Sequence, residues 1–292
     1  MNPVRHTALA LTAAIMLSAI GPTSAAERIG NCEVSGAKGA FTIAPAKPGQ
    51  LTVETHLPGP GWWNGEVPHR IADGFEYCLA ANIAYRVGLD RVEVVNVSWP
   101  GTAAGASFWE EMLGGQDQPF DLALAQVSIT PDRVKQADFS VPYYRSDIGL
   151  MAKGGAALDL KAVRGLRIGV QAGTTGEDFA ANRLRPNTPP MRFGDTPAMF
   201  TALQSGRIDV AMTDTAILLG QAAVSGGRFE VVGQFATDEA YAAIYPKGSP
   251  NKAALDDAIQ TLIDDGTVAR LAETWLTSVW GQDPRKVPYL EP

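Results

Sequence analysis

Short apolar runs alternate with segments of helical spacing along this chain, and that alternation predicts an α/β fold of mixed sheets flanked by helices. Three stretches carry the expectation. Leu51-Thr-Val-Glu-Thr-His56 alternates apolar and polar residues as a strand does. Ile71 to Val87 puts apolar residues at 71, 75, 78, 79, 83 and 87, one face of a helix. Val92-Glu-Val-Val-Asn-Val97 returns to strand spacing. Between the first strand and the helix lies a loop of Pro, Gly and Trp, Leu57-Pro-Gly-Pro-Gly-Trp-Trp-Asn-Gly65, because Pro and Gly punctuate elements rather than propagate them.

A chain of 292 residues has room for two domains of ordinary size, and 46% hydrophobic with 19% charged residues is enough to bury a core. Residues 1–26 read as a secretory signal. Arg5 supplies the charged start, Ala8 to Ile20 is an apolar run too short to cross a bilayer, and Ser24-Ala25-Ala26 is a small-residue cleavage site. Cys32 follows Gly30-Asn31, so no lipobox precedes it. The mature protein is expected to be exported, soluble and periplasmic. In that oxidising compartment the only two cysteines, Cys32 and Cys78, favour a disulfide over two buried thiols.

Formal net charge is −7, and loss of 1–26, whose only charge is Arg5, makes it more negative. No basic patch is visible, which argues against nucleic acid or an anionic membrane as partner. His56 and His69, with two distant cysteines, build no metal site.

The stretch from Asp121 to Tyr144 is the informative one. Leu122 to Val127 is a short apolar strand. It turns through Ser128 and Thr130 and meets Pro131, which cannot continue a ladder but starts a helix. Arg133 then falls in the first helical turn. A guanidinium beside hydroxyls and free amides at a strand end grips a carboxylate with two parallel hydrogen bonds.

Farther on, Ile148-Gly-Leu-Met-Ala152 and Leu166 to Gln171 read as strands, with Leu158 to Val163 leading into the second. Thr174 and Glu177 have capping-box spacing, so a helix is expected with Thr175 at its first position. Gly206 caps the helix that ends at Arg207, and Ile208 to Met212 is a strand with Asp214 just past it, placed to cap the helix Ala216 to Ala223. Phe229 to Val232 and Tyr241 to Tyr245 read as two more strands, and Asn251 to Leu276 as helix.

These motifs, in this order, resemble the amino-acid-binding family of periplasmic solute-binding proteins that feed ABC importers. Thr130-Pro131-Asp132-Arg133 matches the family's T-P-x-R step and Phe139-Ser-Val-Pro-Tyr-Tyr144 its F-S-x-P-Y-Y exit. Gly173-Thr174-Thr175 matches its G-T-T turn, and the run from Gly206 to Asp214 its G-R-x-D-x-x-x-x-D. Gly74-Phe75-Glu76-Tyr77-Cys78 keeps four positions of the first-helix signature and puts Cys78 at the fifth. The resemblance covers about residues 48 to 280. It implies two lobes joined by two hinge strands near 146–152 and 237–245: residues 27–147 and 241–292 in one lobe, 148–240 in the other.

The resemblance also implies a ligand set: Arg133 with Ser128, Thr130, Thr174 and Thr175 toward the carboxylate of an α-amino acid, Asp214 toward its ammonium, and Gln126 beside them. His56, Trp62 and Trp63 are placed where the family's first loop lines the cleft; the indoles either cap the core or form a mostly apolar wall that favours a neutral side chain. The implied protein is a monomeric receptor that needs no cofactor, captures a small zwitterion and presents it to a permease. A cleft enzyme of the same fold, a dehydratase with Glu54 or His56 as acid or base, is one rival. A receptor's sensor domain is the other, and it lacks its membrane helix and signalling module.

Overall fold

The computed structural model describes residues 26–99, 119–154 and 159–291. The expected signal segment and Leu158 lie outside them, Ala26 apart. The leader forms a short hairpin, β1 (Arg28–Ile29) and β2 (Cys32–Glu33). The chain then runs β3 (Leu51–Thr55), α1 (Phe75–Arg86), β4 (Val92–Asn96), β5 (Leu122–Ala123), α2 (Pro131–Val134) and β6 (Asp138–Lys153). It continues through α3 (Leu160–Gly165), β7 (Ile168–Gln171), α4 (Thr175–Phe179), β8 (Met191–Phe193), α5 (Thr196–Ser205), β9 (Val210–Asp214) and α6 (Thr215–Val224). It closes with β10 (Phe229–Tyr245), α7 (Lys252–Asp264) and α8 (Thr267–Ala272).

Eight strands form one sheet in the order β4-β3-β5-β10-β6-β9-β7-β8. β3 runs parallel to β4 and β5 on one side, and β7 parallel to β8 and β9 on the other. The long antiparallel pair β6 and β10 joins the two groups. Sequence spacing read Ile148–Ala152 of β6 as a strand and Phe139–Tyr144 only as a motif, and divided β10 in two. Phe139–Tyr144 and Ile148–Ala152 are one strand, as are Phe229–Val232 and Tyr241–Tyr245, with register shifts instead of turns between the halves. Pro142 is tolerated in β6 because it sits at such a shift, opposite Ala242.

Local chemistry sets the boundaries. α1 begins at Phe75 and not at Ile71 because Gly74 has φ +113°, and a Cβ there would approach the Trp62 carbonyl oxygen to 2.5 Å. β5 keeps only two ladder residues because Gln126 turns into the left-handed region at φ +50°. The expected helix from Asn251 breaks after Asp264, where Gly266 adopts φ +76°. Leu51, Val53, Leu79, Ile83 and Leu122 are fully enclosed with Leu255, Ile259 and Leu262 of α7 in one apolar cluster. Each such aliphatic side chain contributes about 1.5–3 kcal/mol by leaving water.

Beyond α8, Glu273–Thr277 still lies against α1, and only the end of the chain crosses to β10. The Gln234 amide donates to the Pro288 carbonyl (2.8 Å) and the Leu290 amide to the Gln234 carbonyl (2.7 Å). Residues 284–290 therefore lie along the first half of β10, on the side that the sequence division gave to 148–240.

Cys32 and Cys78 are disulfide-bonded, with Cα atoms 5.3 Å apart and a sequence separation of 46. The bond ties the leader to the buried face of α1. Chain-entropy reasoning puts the effect of that closed loop at about 4 kcal/mol. Replacing both cysteines by serine is expected to lower the urea midpoint accordingly, and an unchanged midpoint would show that the leader needs no staple.

Candidate functional site

The carboxyl ends of the parallel strands meet in a cavity of about 320 Å³. Open α/β sheets place their ligand crevices at such ends. His56 follows β3, Gln126 and Ser128 follow β5, Thr174 and Thr175 follow β7, and Asp214 ends β9; all of them line the cavity together with Arg133 and Trp62. Eight residues singled out in the sequence thus come together from five separate segments.

Two do not. The Thr130 side chain caps α2 by accepting the backbone N–H of Arg133 (3.2 Å), so its hydroxyl is spent on the turn that aims the arginine. Trp63 points away from the cavity: it is fully buried, packs edge-on against Tyr77, and donates its Nε1–H to Glu76 Oε2 (2.7 Å). Trp62 lines the cavity but is only 1% exposed, with its indole edge-on to Phe75, Tyr144 and Tyr241. The tryptophan pair is therefore one core anchor and one buried cavity wall.

Arg133 donates to the Ser128 carbonyl (2.8 Å) and to the Gly173 carbonyl (3.2 Å), so it touches both groups of strands. Burial lowers its affinity for its proton, and the carboxylates of Asp214 and Glu239 oppose that. Asp214 was expected to cap α6. It is the residue before the helix, yet its side chain makes no cap bond and instead accepts the Tyr241 hydroxyl. Burial, and then the charge of Glu239, push its carboxyl up to about 8. The hydroxyls of Ser128 and Thr175 both donate to Glu239 Oε2, the latter at 2.8 Å.

Thr174 caps α4 as its spacing predicted, accepting the Glu177 N–H at 3.2 Å, while Glu177 reaches back to the Gly173 N–H (2.8 Å). His56 Nδ1 lies 3.0 Å from the Val97 carbonyl. A carbonyl only accepts, so the proton is on Nδ1 and Nε2 is left as an acceptor. Burial lowers the pKa of this ring and keeps it neutral. His56 Nε2, Trp62 Nε1 and Gln171 Nε2 are buried without a hydrogen-bond partner among the described residues. The wall expected to be apolar thus carries two donors and an acceptor. Glu54 also has its carboxyl pushed up by burial, to about 8, but it does not line the cavity.

Sequence reasoning missed Trp99, Gln171, Phe200 and Arg228, which line the cavity, and Glu239 and Tyr241 behind it. Gln171 adjoins the G-T-T turn and was within reach of that motif. The others come from stretches with no local pattern, and only the sheet order brings them here.

Comparison with known proteins agrees with this architecture. The family model for bacterial extracellular solute-binding proteins, family 3, matches residues 67–278. The chain is similar to the L-cystine-binding protein TcyJ of Escherichia coli, 27% identical over 207 residues that span 69% of this chain and 73% of that one. Among solved structures it resembles an ancestral arginine-binding protein bound to arginine, with TM-score 0.65 and 27% identity over 78% of this chain and 98% of that one. It also resembles an ancestral amino acid-binding protein described as a precursor of cyclohexadienyl dehydratase, with TM-score 0.65 and 26% identity over 78% and 95%.

One buried group organises the floor of the cavity. Glu76 accepts from the Gln126 backbone N–H at 2.9 Å, from the Gln126 amide, from Trp63 and from the Tyr143 hydroxyl. Glu76→Gln puts an N–H₂ among four donors. The expected cost is about 1–3 kcal/mol of unfolding free energy in urea, the range for leaving a buried polar group unsatisfied; an unchanged urea midpoint would show that the donors find other partners.

Proposed function

The chain belongs to the bacterial extracellular solute-binding proteins of family 3, and from that premise we propose that it captures an α-amino acid in this cleft and delivers it to an ABC importer. Export to the periplasm behind a cleaved signal is part of the same reading. The observation that carries it is the convergence of Arg133, Asp214 and Thr175, from separate elements, on one cavity. An amino acid is a zwitterion. Arg133 takes its carboxylate and Asp214 its ammonium, each by a charge-assisted bond. The relatives' names, as binding proteins for L-cystine, arginine and glutamine, support a ligand of this kind.

Residues near Arg133 and residues near Thr175 belong to different strand groups linked by β6 and β10. A ligand that bonds to both sides favours the arrangement with the sides together, and a permease then reads that shape. The buried donors and acceptor on Trp62, Gln171 and His56 suit a neutral ligand side chain with polar atoms of its own. The dehydratase reading retains one point in favour, a neutral His56 on the cavity wall, and turnover assays on cyclic dienoic acids test it.

Three measurements test the proposal. A thermal-shift and calorimetric screen of the standard amino acids is expected to find a ligand; no stabilisation by any of them would overturn it. Arg133→Ala is expected to cost about 3–5 kcal/mol of affinity with the fold intact, because the ligand carboxylate is left buried and unpaired. The third is pH. Burial and the charge of Glu239 push the Asp214 carboxyl up to about 8, so at pH 6 it is largely protonated, and gripping an ammonium expels that proton. Affinity is expected to rise with pH between about 6 and 8, by up to tenfold per unit, and Asp214→Asn should flatten that slope.

A further inference from the structure

β10 carries an irregularity that no motif marks. Phe235 pairs with Ile148 and Glu239 with Ser146, so four steps along β10 cover two along β6. Asp238 within this bulge adopts φ +54°. The side chain of Asp147 holds it, accepting the Thr237 N–H at 2.9 Å and the Asp238 N–H at 3.3 Å. Bulges re-aim side chains, and this one brings Glu239 up behind the cavity lining. There Glu239 Oε2 takes hydrogen bonds from Ser128, beyond β5, and from Thr175, at the start of α4.

From behind the lining, Glu239 thus sets a second carboxylate close to Asp214 and the guanidinium of Arg133, although the zwitterion proposed above calls for only one of each. The groups facing the two carboxylates are Arg133 from α2 and Tyr241 from β10, and the Tyr241 hydroxyl is spent on Asp214. The pair also disfavours its own charge, since Glu239 raises the Asp214 carboxyl. An ammonium relieves that repulsion; a second carboxylate adds to it.

We infer that Glu239 is a second acidic residue of the ammonium site, acting with Asp214 to require a cationic nitrogen on the ligand and to reject carboxylates that lack one. The hydroxyls of Ser128 and Thr175 orient Glu239. The ligand's carboxylate is then left to Arg133. This inference rests on the amino-acid reading of the cleft.

Its test compares an amino acid with the α-hydroxy acid of the same side chain, using whichever standard amino acid binds the wild-type protein tightest. Calorimetry is run at pH 7 on wild type, Glu239→Gln and Glu239→Asp, with far-UV circular dichroism to confirm that each is folded. Glu239→Gln is expected to weaken the amino acid at least about tenfold, the loss of one charge-assisted contact. It should leave the hydroxy acid unchanged or bind it more tightly. Glu239→Asp, which keeps the charge, is expected to recover part of the amino-acid affinity. Equal weakening of both ligands would show that Glu239 only braces Ser128 against Thr175, and unchanged affinity for both would show that it has no role; either overturns the inference. If wild type binds no amino acid, it is the reading of the cleft that fails.

Discussion

The buried carboxylate of Glu76 is the interaction on which the cleft rests. Burial pushes its pKa up, and bonds from Tyr143, Gln126 and Trp63 push it down. A carboxyl so enclosed is tolerated only because its oxygens are surrounded by donors. Those donors come from three places that must be held together: the 57–65 loop through Trp63, the end of β5 through Gln126, and β6 through Tyr143. The strained φ of Gln126 is held by this contact. Two residues farther along is Ser128, whose carbonyl positions Arg133. The acidic position of the first-helix signature therefore has a physical role at some distance from any ligand: it sets the end of the strand that presents the arginine.

Around that fixed floor the charges are arranged in tension. Arg133, Asp214 and Glu239 lie close enough for each carboxylate to act on the guanidinium and on the other. Without a ligand the tension is met in part by protonating Asp214 and in part by hydroxyl donors to Glu239. Water could satisfy these groups only in an open cleft. Under the proposed function a zwitterion would satisfy them in a closed one, and that difference in free energy would couple binding to a change of shape.

Much of this was legible in the sequence wherever chemistry is local. Thr130-Pro131 announced the start of α2, Thr174 and Glu177 the start of α4, and Gly206 the end of α5, because caps and turns depend on residues a few positions apart. Arg133, Asp214 and Thr175 were legible as ordered motifs. Trp62 and Trp63 could not be told apart in the sequence because adjacent residues in a loop look equivalent until a partner such as Glu76 claims one of them. β6 and β10 were read as fragments because their bulges interrupt the period by which a strand is recognised. Glu239 left no trace at all: its position depends on a register shift and on Asp147, some ninety residues earlier in the chain.

That dependence ties the cleft to the back of the molecule. Asp147, which pins the bulge of β10, also accepts the Tyr289 hydroxyl at 2.7 Å. The C-terminal stretch that carries Tyr289 is itself bonded to Gln234 at both Pro288 and Leu290. The tail, the bulge and Glu239 thus form one continuous hydrogen-bonded path at the point where β6 and β10 pass from one strand group to the other. Glu239 Oε2 bonds to Ser128 on one side and Thr175 on the other, and a single oxygen cannot keep both bonds if the two sides separate. The residue that reads ligand charge is therefore held by the segment about which the sides would turn, so the geometry of that segment sets both the charge presented to the ligand and the contact that closure restores.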